Sequence, residues 1–118
     1  MDKRQLEIRV EREDHIAVVT PMGSVDASNL DDFKEALDAA CRHEHAKVIV
    51  DCDELSYVNS TSFGLLFHYH RACESRRGHF VLCSVREKIR GIFAMLGLQD
   101  VLRIYGTRAE ALEALQGA

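Results

Sequence analysis

Between Val48 and Cys73 the apolar residues change from a continuous run to a helical spacing, and that change constrains everything around it. Val48-Ile49-Val50 is a β-branched run suited to a strand covered on both faces, and the acidic and small residues after it mark the exit from a sheet. From Phe63 onward, Phe63, Leu66, Phe67, His70 and Cys73 recur at three- and four-residue spacing, with Leu65, Tyr69 and Ala72 on a neighbouring stripe, which predicts an amphipathic helix with a wide apolar face. Asn59, Ser60, Thr61 and Ser62 stand between the two. Each has a side-chain oxygen that can cap a helix by accepting from an unpaired backbone N–H.

Hydroxyls at a helix start suggest a chemical use. The N-terminus of a helix carries roughly half a positive charge and up to four free N–H groups, so an anion there gains up to ~2 kcal/mol. Phosphorylation adds about −1.5 to −2 charges at pH 7 and would leave the helix beneath intact. The same residues also serve simply as caps, and local composition does not separate the two roles.

The remaining elements are legible by period. Leu6, Ile8 and Val10 alternate with polar residues, Glu13-Asp14 forms a turn, and Ile16 to Thr20 returns as a second strand, giving a hairpin. Pro21 suits an edge or the end of that strand, Gly23-Ser24-Val25-Asp26 makes a tight exit, and Asp26 or Ser28 can cap the next helix. That helix runs from about Asn29 to Arg42 with Leu30, Phe33, Leu37 and Ala40 inward, and a strand follows over 47–52. Gly78 stops the second helix, and Phe80 to Cys83 is a short apolar strand. Val85 to Leu96 is a third helix stopped by Gly97, and Val101 to Tyr105 is a last strand. Thr107 caps a closing helix bearing Ala109, Leu112, Ala114 and Leu115. The order β-β-α-β-α-β-α-β-α predicts a single α/β domain over 1–118. It has a mixed sheet of about five strands, an antiparallel N-terminal hairpin plus parallel central strands, and about four helices.

Several function classes are disfavoured. No apolar run reaches the ~18 residues needed to span a bilayer, and Met1 to Gln5 leads into a strand pattern in place of a signal-peptide core, so a cytoplasmic protein without membrane insertion is expected. Cys41, Cys52, Cys73 and Cys83 contain no C-x-x-C pair and read as small buried thiols. His43, His45, His68 and His70 lack zinc spacing, so neither metal nor cofactor is expected. Residues 1–60 hold 14 acids against 7 bases and residues 61–118 hold 5 against 8, a polarity of −7 and +3 that suits an oriented docking face and not nucleic acid.

Four features in order resemble the STAS domain, the family of anti-sigma-factor antagonists and sulphate-transporter tails. Gly23-Ser24-Val25-Asp26 is similar to its glycine-x-aliphatic-aspartate, Val48 to Asp53 with Leu55, Tyr57 and Val58 to its central strand and approach loop, and Ile92 to Leu98 to its late helix and glycine-leucine stop. Asn59-Ser60-Thr61-Ser62-Phe63-Gly64 falls where the family has aspartate-serine-serine or threonine-glycine-leucine-glycine, with Asn59 for aspartate, Ser62 for glycine and Phe63 for leucine. The resemblance implies a non-enzymatic module whose partner is an anti-sigma factor that is also a serine kinase of the histidine-kinase-like ATPase type. That kinase modifies the first hydroxyl, and a serine phosphatase restores it. By position the acceptor is Ser60, with Thr61 the second choice, and the partner-binding residues are Ser24, Asp26, Asn59, Ser60, Thr61, Ser62 and Phe63.

Two other functions are compatible with the residues. One is a constitutive scaffold or transporter regulatory subunit that is never phosphorylated, favoured by Asn59 and Ser62. The other is an enzyme in which Asp26, Asp51, Asp53 and Ser60 converge at strand ends, although no histidine is placed to activate Ser60 and no glycine-rich phosphate loop is present.

Overall fold

The computed structural model describes residues 6–118, so Met1 to Gln5 of the expected lead-in lie outside it. Strands β1 (Leu6–Glu13) and β2 (Ile16–Val25) form the expected antiparallel hairpin, in register from Leu6 opposite Gly23 to Glu13 opposite Ile16. Its two-residue turn, Asp14-His15, has φ of 51° and 67°, the positive pair that matches the twist of a hairpin.

β2 does not stop near Thr20 but runs through Pro21 to Val25, because it changes neighbour. Strand β3 (Lys47–Asp51) lies parallel beside Ile16 to Val19, and β4 (Leu55–Val58) lies parallel beside Gly23 to Val25. The Gly23 N–H donates to Glu54 O on the β4 side at 2.9 Å, so by the alternation of an extended chain the Pro21 nitrogen points into the gap between β3 and β4, where no donor is needed. Gly23, at φ 115°, absorbs the register shift with a conformation open to glycine. β4 is a strand where the sequence pattern suggested only an approach loop.

Beyond β3 lie β5 (His79–Cys83) and β6 (Ile104–Tyr105), both parallel, giving the order β1-β2-β3-β5-β6 with β4 on the extension of β2. The sheet therefore has six strands among the described residues, against about five expected. β6 is shorter than Val101 to Tyr105, since the Val101 and Leu102 N–H groups turn back onto Leu98 O.

Helices α1 (Leu30–Cys41), α2 (Ser60–Ser75) and α3 (Glu87–Met95) cover one face of the sheet, and α4 (Arg108–Gln116) covers the other. Phe33, Leu37 and Ala40 face inward from α1 as their spacing predicts, while Leu30 is half-buried. On α2 the buried line is Phe63, Leu66, Tyr69 and Cys73, so Tyr69 replaces the expected Phe67 and His70, which are half-buried. Tyr69 belongs inside because its hydroxyl reaches Asp38 of α1 and, at 3.4 Å, Lys34 O. α3 begins at Glu87, leaving Val85 as a buried residue ahead of it. On α4 the inward residues are Ala111 and Leu115, and Ala109 is exposed. Its start is a full capping box between Thr107 and Glu110. Each fully buried apolar side chain contributes roughly 1.5–3 kcal/mol to this core.

Candidate docking surface

Pairing of β2 with β4 brings two chain segments together at the ends of the parallel strands. Val25 lies opposite Val58, and the Asn59 N–H donates to Val25 O at 3.1 Å, so the loop after β2 and the junction between β4 and α2 run side by side. The Ser24 and Ser56 hydroxyls are 3.2 Å apart across the same pair. Ser24, Asp26 and Asn59 thus share one rim, although 35 residues of sequence separate Ser24 from Asn59.

The loop is stiffened by its own polar groups. One oxygen of Asp26 accepts from the Ser28 hydroxyl at 2.5 Å and from the Ser28 N–H at 2.9 Å. The Ser28 hydroxyl, then its N–H, holds the Asp26 carboxyl below its ordinary value. Asn29 accepts from the Asp26 N–H at 3.0 Å and donates to Ser24 O at 2.9 Å. Asn29, and neither Asp26 nor Ser28, occupies the cap position of α1. Its side chain makes no cap bond, and the acids Asp31 and Asp32 complement the positive end of the helix.

The α2 start separates the four candidate hydroxyl-region residues sharply. Asn59 is the N-cap. Its side-chain oxygen accepts from the Ser62 N–H at 2.9 Å and from the Ser62 hydroxyl at 2.6 Å. Ser60 and Thr61 are the first two helical residues, not caps, and both are exposed. Ser62 is 0% exposed and Phe63 is buried edge-on against Phe93 of α3, with ring centroids 4.8 Å apart at 84°. Ser62 and Phe63 therefore face away from the rim on which they were expected, and hold it from beneath.

Phe93 sits in the last turn of α3, so its contact with Phe63 draws that end of α3 to the start of α2. Met95, 85% exposed, and Leu96 follow directly, and Tyr57 is half-exposed just before the junction. Tyr57 and Met95 stand outside any apolar stripe, whereas Leu96 keeps the spacing of Ile89, Ile92 and Phe93 and reads as inward, yet it is exposed because α3 ends at Met95 and Leu96 is its C-cap. Acids stand on the α1 side at Asp26, Asp31 and Asp32, while Arg86 is the N-cap of α3 and Lys88 and Arg90 lie exposed along it.

The four residues of a conceivable catalytic cluster do not converge. Asp51 is buried toward α4, with one carboxylate oxygen 3.5 Å from the Arg108 guanidinium, across the sheet from α2. Its other oxygen accepts from the Asp53 N–H at 3.1 Å, and Asp53 O accepts from Arg86 at 3.0 Å. These acids organise turns and ion pairs. Among the described residues no helix is long and apolar enough to cross a membrane.

Comparison with known proteins gives a consistent result. The family model of the STAS domain matches residues 7–111. The anti-sigma-B factor antagonist of Listeria monocytogenes is 28% identical over 105 residues, covering 89% of this chain and 91% of that protein. The crystal structure of an anti-sigma factor antagonist from Mycobacterium paratuberculosis superposes with a TM-score of 0.86 at 20% identity, covering 98% and 97% of the two chains. SpoIIAA, at 21% identity, superposes in its unphosphorylated form with a TM-score of 0.79 over 95% and 98% of the chains. Its phosphorylated form, from Bacillus, gives 0.71 over 92% and 98%. These structures share the fold.

Proposed function

The chain belongs to the STAS domain family, and from that premise we propose that it is an anti-sigma-factor antagonist whose docking is switched at Ser60. The unmodified rim binds, in the cytoplasm, an anti-sigma factor that is itself a serine kinase of the histidine-kinase-like ATPase type. Phosphorylation of Ser60 ends docking, Thr61 is the second choice of acceptor, and a serine phosphatase resets the state. Ser24, Asp26, Asn59, Ser60 and Thr61 form the contact rim, with Ser62 and Phe63 supporting it from inside. No catalytic residue, metal or cofactor takes part.

The observation that carries this reading is the outward placement of Ser60 at the first position of a well-capped helix. A phosphate there meets the favourable end of the α2 dipole, so the fold tolerates it. The same dianion at the centre of an interface must lose its water. Without a cation opposite, the penalty reaches ~3 kcal/mol, about a hundredfold in affinity. The modification thus acts on the complex and spares the domain. Exposed Tyr57 precedes the junction, and exposed Met95 and Leu96 follow Phe93, whose ring packs on Phe63 near the start of α2, so the elements beside the hydroxyl carry apolar area.

The test is incubation with an anti-sigma-factor kinase and ATP. A gain of one phosphate in wild type that is absent in Ser60→Ala supports the switch; a gain that persists in that variant moves the acceptor elsewhere. A second reading, a constitutive scaffold or transporter regulatory subunit, is favoured by the neutral cap at Asn59, whose acceptor oxygen is fully engaged by Ser62. Under that reading no phosphorylated form occurs in cells, while Ser60→Asp still weakens docking.

A further inference from the structure

The outer strands of the sheet differ in what they leave open. β6 has two residues and β4 has four, whereas β1 has eight and pairs only with β2 among the described residues. β1 is also continuous in register from Leu6 to Glu13, with neither the proline nor the bulge that commonly keeps an edge from pairing. The backbone groups it offers follow from Pro21. Ile8 lies opposite Pro21, which has no N–H to give, so the two form one of the pairs in an antiparallel ladder that exchange no bonds, and by alternation Val10 and Arg12 stand in the next such pairs. The N–H and C=O groups of Ile8, Val10 and Arg12 therefore point away from β2 into solvent.

The side chains suit one occupant, a second β1. Glu11 lies on the α4 side, where Arg108 donates to its Oε1 at 3.0 Å, and alternation puts Arg9 on the same side. Leu6 and Ile8 pack on the core of the other face, and Val10, next on that side, is half-exposed. An antiparallel second β1 must set outward residue against outward residue. With the two-fold axis at Val10, Val10 meets Val10, Ile8 meets Arg12, and Arg9 meets Glu11 of the second copy at two places; the like-charge pair of Glu7 with Glu13 falls at the ends of the overlap. An axis at Arg9 or Glu11 sets each of those charges against its own copy, an axis at Arg12 sets Glu11 against Glu13, and an axis at Ile8 shortens the overlap to Leu6–Val10.

We propose that β1 is a homodimerisation edge: two copies join antiparallel about Val10 into one continuous sheet, held in register by reciprocal Arg9–Glu11 pairs. Leu6, opposite Gly23, marks the end of β1 on the side of the Ser60 rim, and the two Leu6 ends lie at opposite ends of the joined sheet. Both rims stay open in the dimer.

Sedimentation equilibrium of the full chain tests this. The expected result is a monomer–dimer equilibrium with Kd on the order of 10⁻⁵ to 10⁻⁴ M, as suits a strand pair burying less than about 1,000 Å². Arg9→Glu sets acids against Glu11 at both contacts and Glu11→Arg sets bases against Arg9, so each variant alone should dimerise at least about tenfold more weakly. Mixed one to one, the two variants set acid against base at both contacts and should recover the wild-type constant. Circular dichroism shows that each is folded; should Glu11→Arg be unstable without its Arg108 contact, Val10→Pro removes only N–H groups that point away from β2 and should abolish the dimer while sparing the hairpin. Wild type that stays monomeric to about 1 mM would overturn the proposal. So would a dimer that Arg9→Glu or Val10→Pro leaves unchanged, or a mixture of the folded charge variants that associates no better than either alone.

Discussion

Ser60 and Thr61 occupy the same helical turn as Ser62 and Phe63, yet the first two side chains stand in solvent and the second two are sealed inside. Residue chemistry does not explain the difference, because Ser60 and Ser62 are the same amino acid. Position on the helix does. Two steps along an α-helix turn a side chain through roughly 200°, which carries the hydroxyl from the rim to the interior. Once inside it must find a partner, and Asn59 supplies one. The outer pair stands in solvent, and the inner pair packs beneath it.

The comparison is broken most forcefully from the inside. Phe63→Ala removes a buried ring and its edge-on contact with Phe93, so about 3–5 kcal/mol of stability should be lost in denaturant unfolding. Docking would then fall only because the rim is no longer held. A loss under about 1 kcal/mol would show that α3 can collapse onto the gap and that the inner pair is not a support.

Ser60→Asp attacks the outer pair alone. It should weaken binding to the anti-sigma partner about a hundredfold by titration calorimetry. Unfolding should stay within about 0.5 kcal/mol of wild type, since an acid at the first helical position is favoured by the dipole. Unchanged docking would remove Ser60 from the interface. A large change in stability would erase the distinction between the outer and inner positions.

Asn59 links the two pairs, and its removal should fall between these effects in size. Asn59→Ala deprives α2 of its cap and leaves the Ser62 hydroxyl buried without an acceptor, so about 1–2 kcal/mol should be lost. Asn59→Asp keeps the acceptor oxygen and should recover most of it. Should Asn59→Asp be as damaging as Asn59→Ala in thermal or denaturant unfolding, the cap bond would not be the source of the effect.

Which parts of this arrangement could be read from sequence follows from the same geometry. β3, β5, α1 and the existence of α2 were legible because long apolar runs and three-to-four spacing report burial directly. β4 was not, since its four residues Leu55 to Val58 have only their ends buried, and the strand forms because β2 continues past Pro21. Four consecutive capping residues were visible at 59–62, but only one can be the cap, and which one depends on the hydrogen bond that Asn59 makes. Ser62 and Phe63 were named as partner-binding residues by family resemblance, and in the structure both are buried beneath the exposed Ser60 and Thr61. Tyr69 was read on a stripe beside the main one and Ala111 was not singled out, because two neighbouring stripes of a helix rich in apolar residues give the same period with different phase. Asp26 beside Asn59 was implied by family resemblance alone, and the register of Val25 with Val58 supplies its physical cause.

The smallest effect should come from Asp26, on the neighbouring loop. The folded carboxyl titrates below its ordinary value of 3.8 because Ser28 donates to the charged form through its hydroxyl and then its N–H. A depressed folded value means that the carboxylate's contribution is complete above the unfolded value and is lost as pH falls through the folded one. Wild type should therefore exceed Asp26→Asn in thermal stability by a margin that is constant above about pH 3.8 and closes as the solution is acidified further. Ser28→Ala should shrink that margin, because it removes the largest cause of the shift. A margin unchanged down to pH 2 would mean that the loop is held by Asn29 alone. In that event the outer pair would rest on one side only, on the inner residues of its own helical turn.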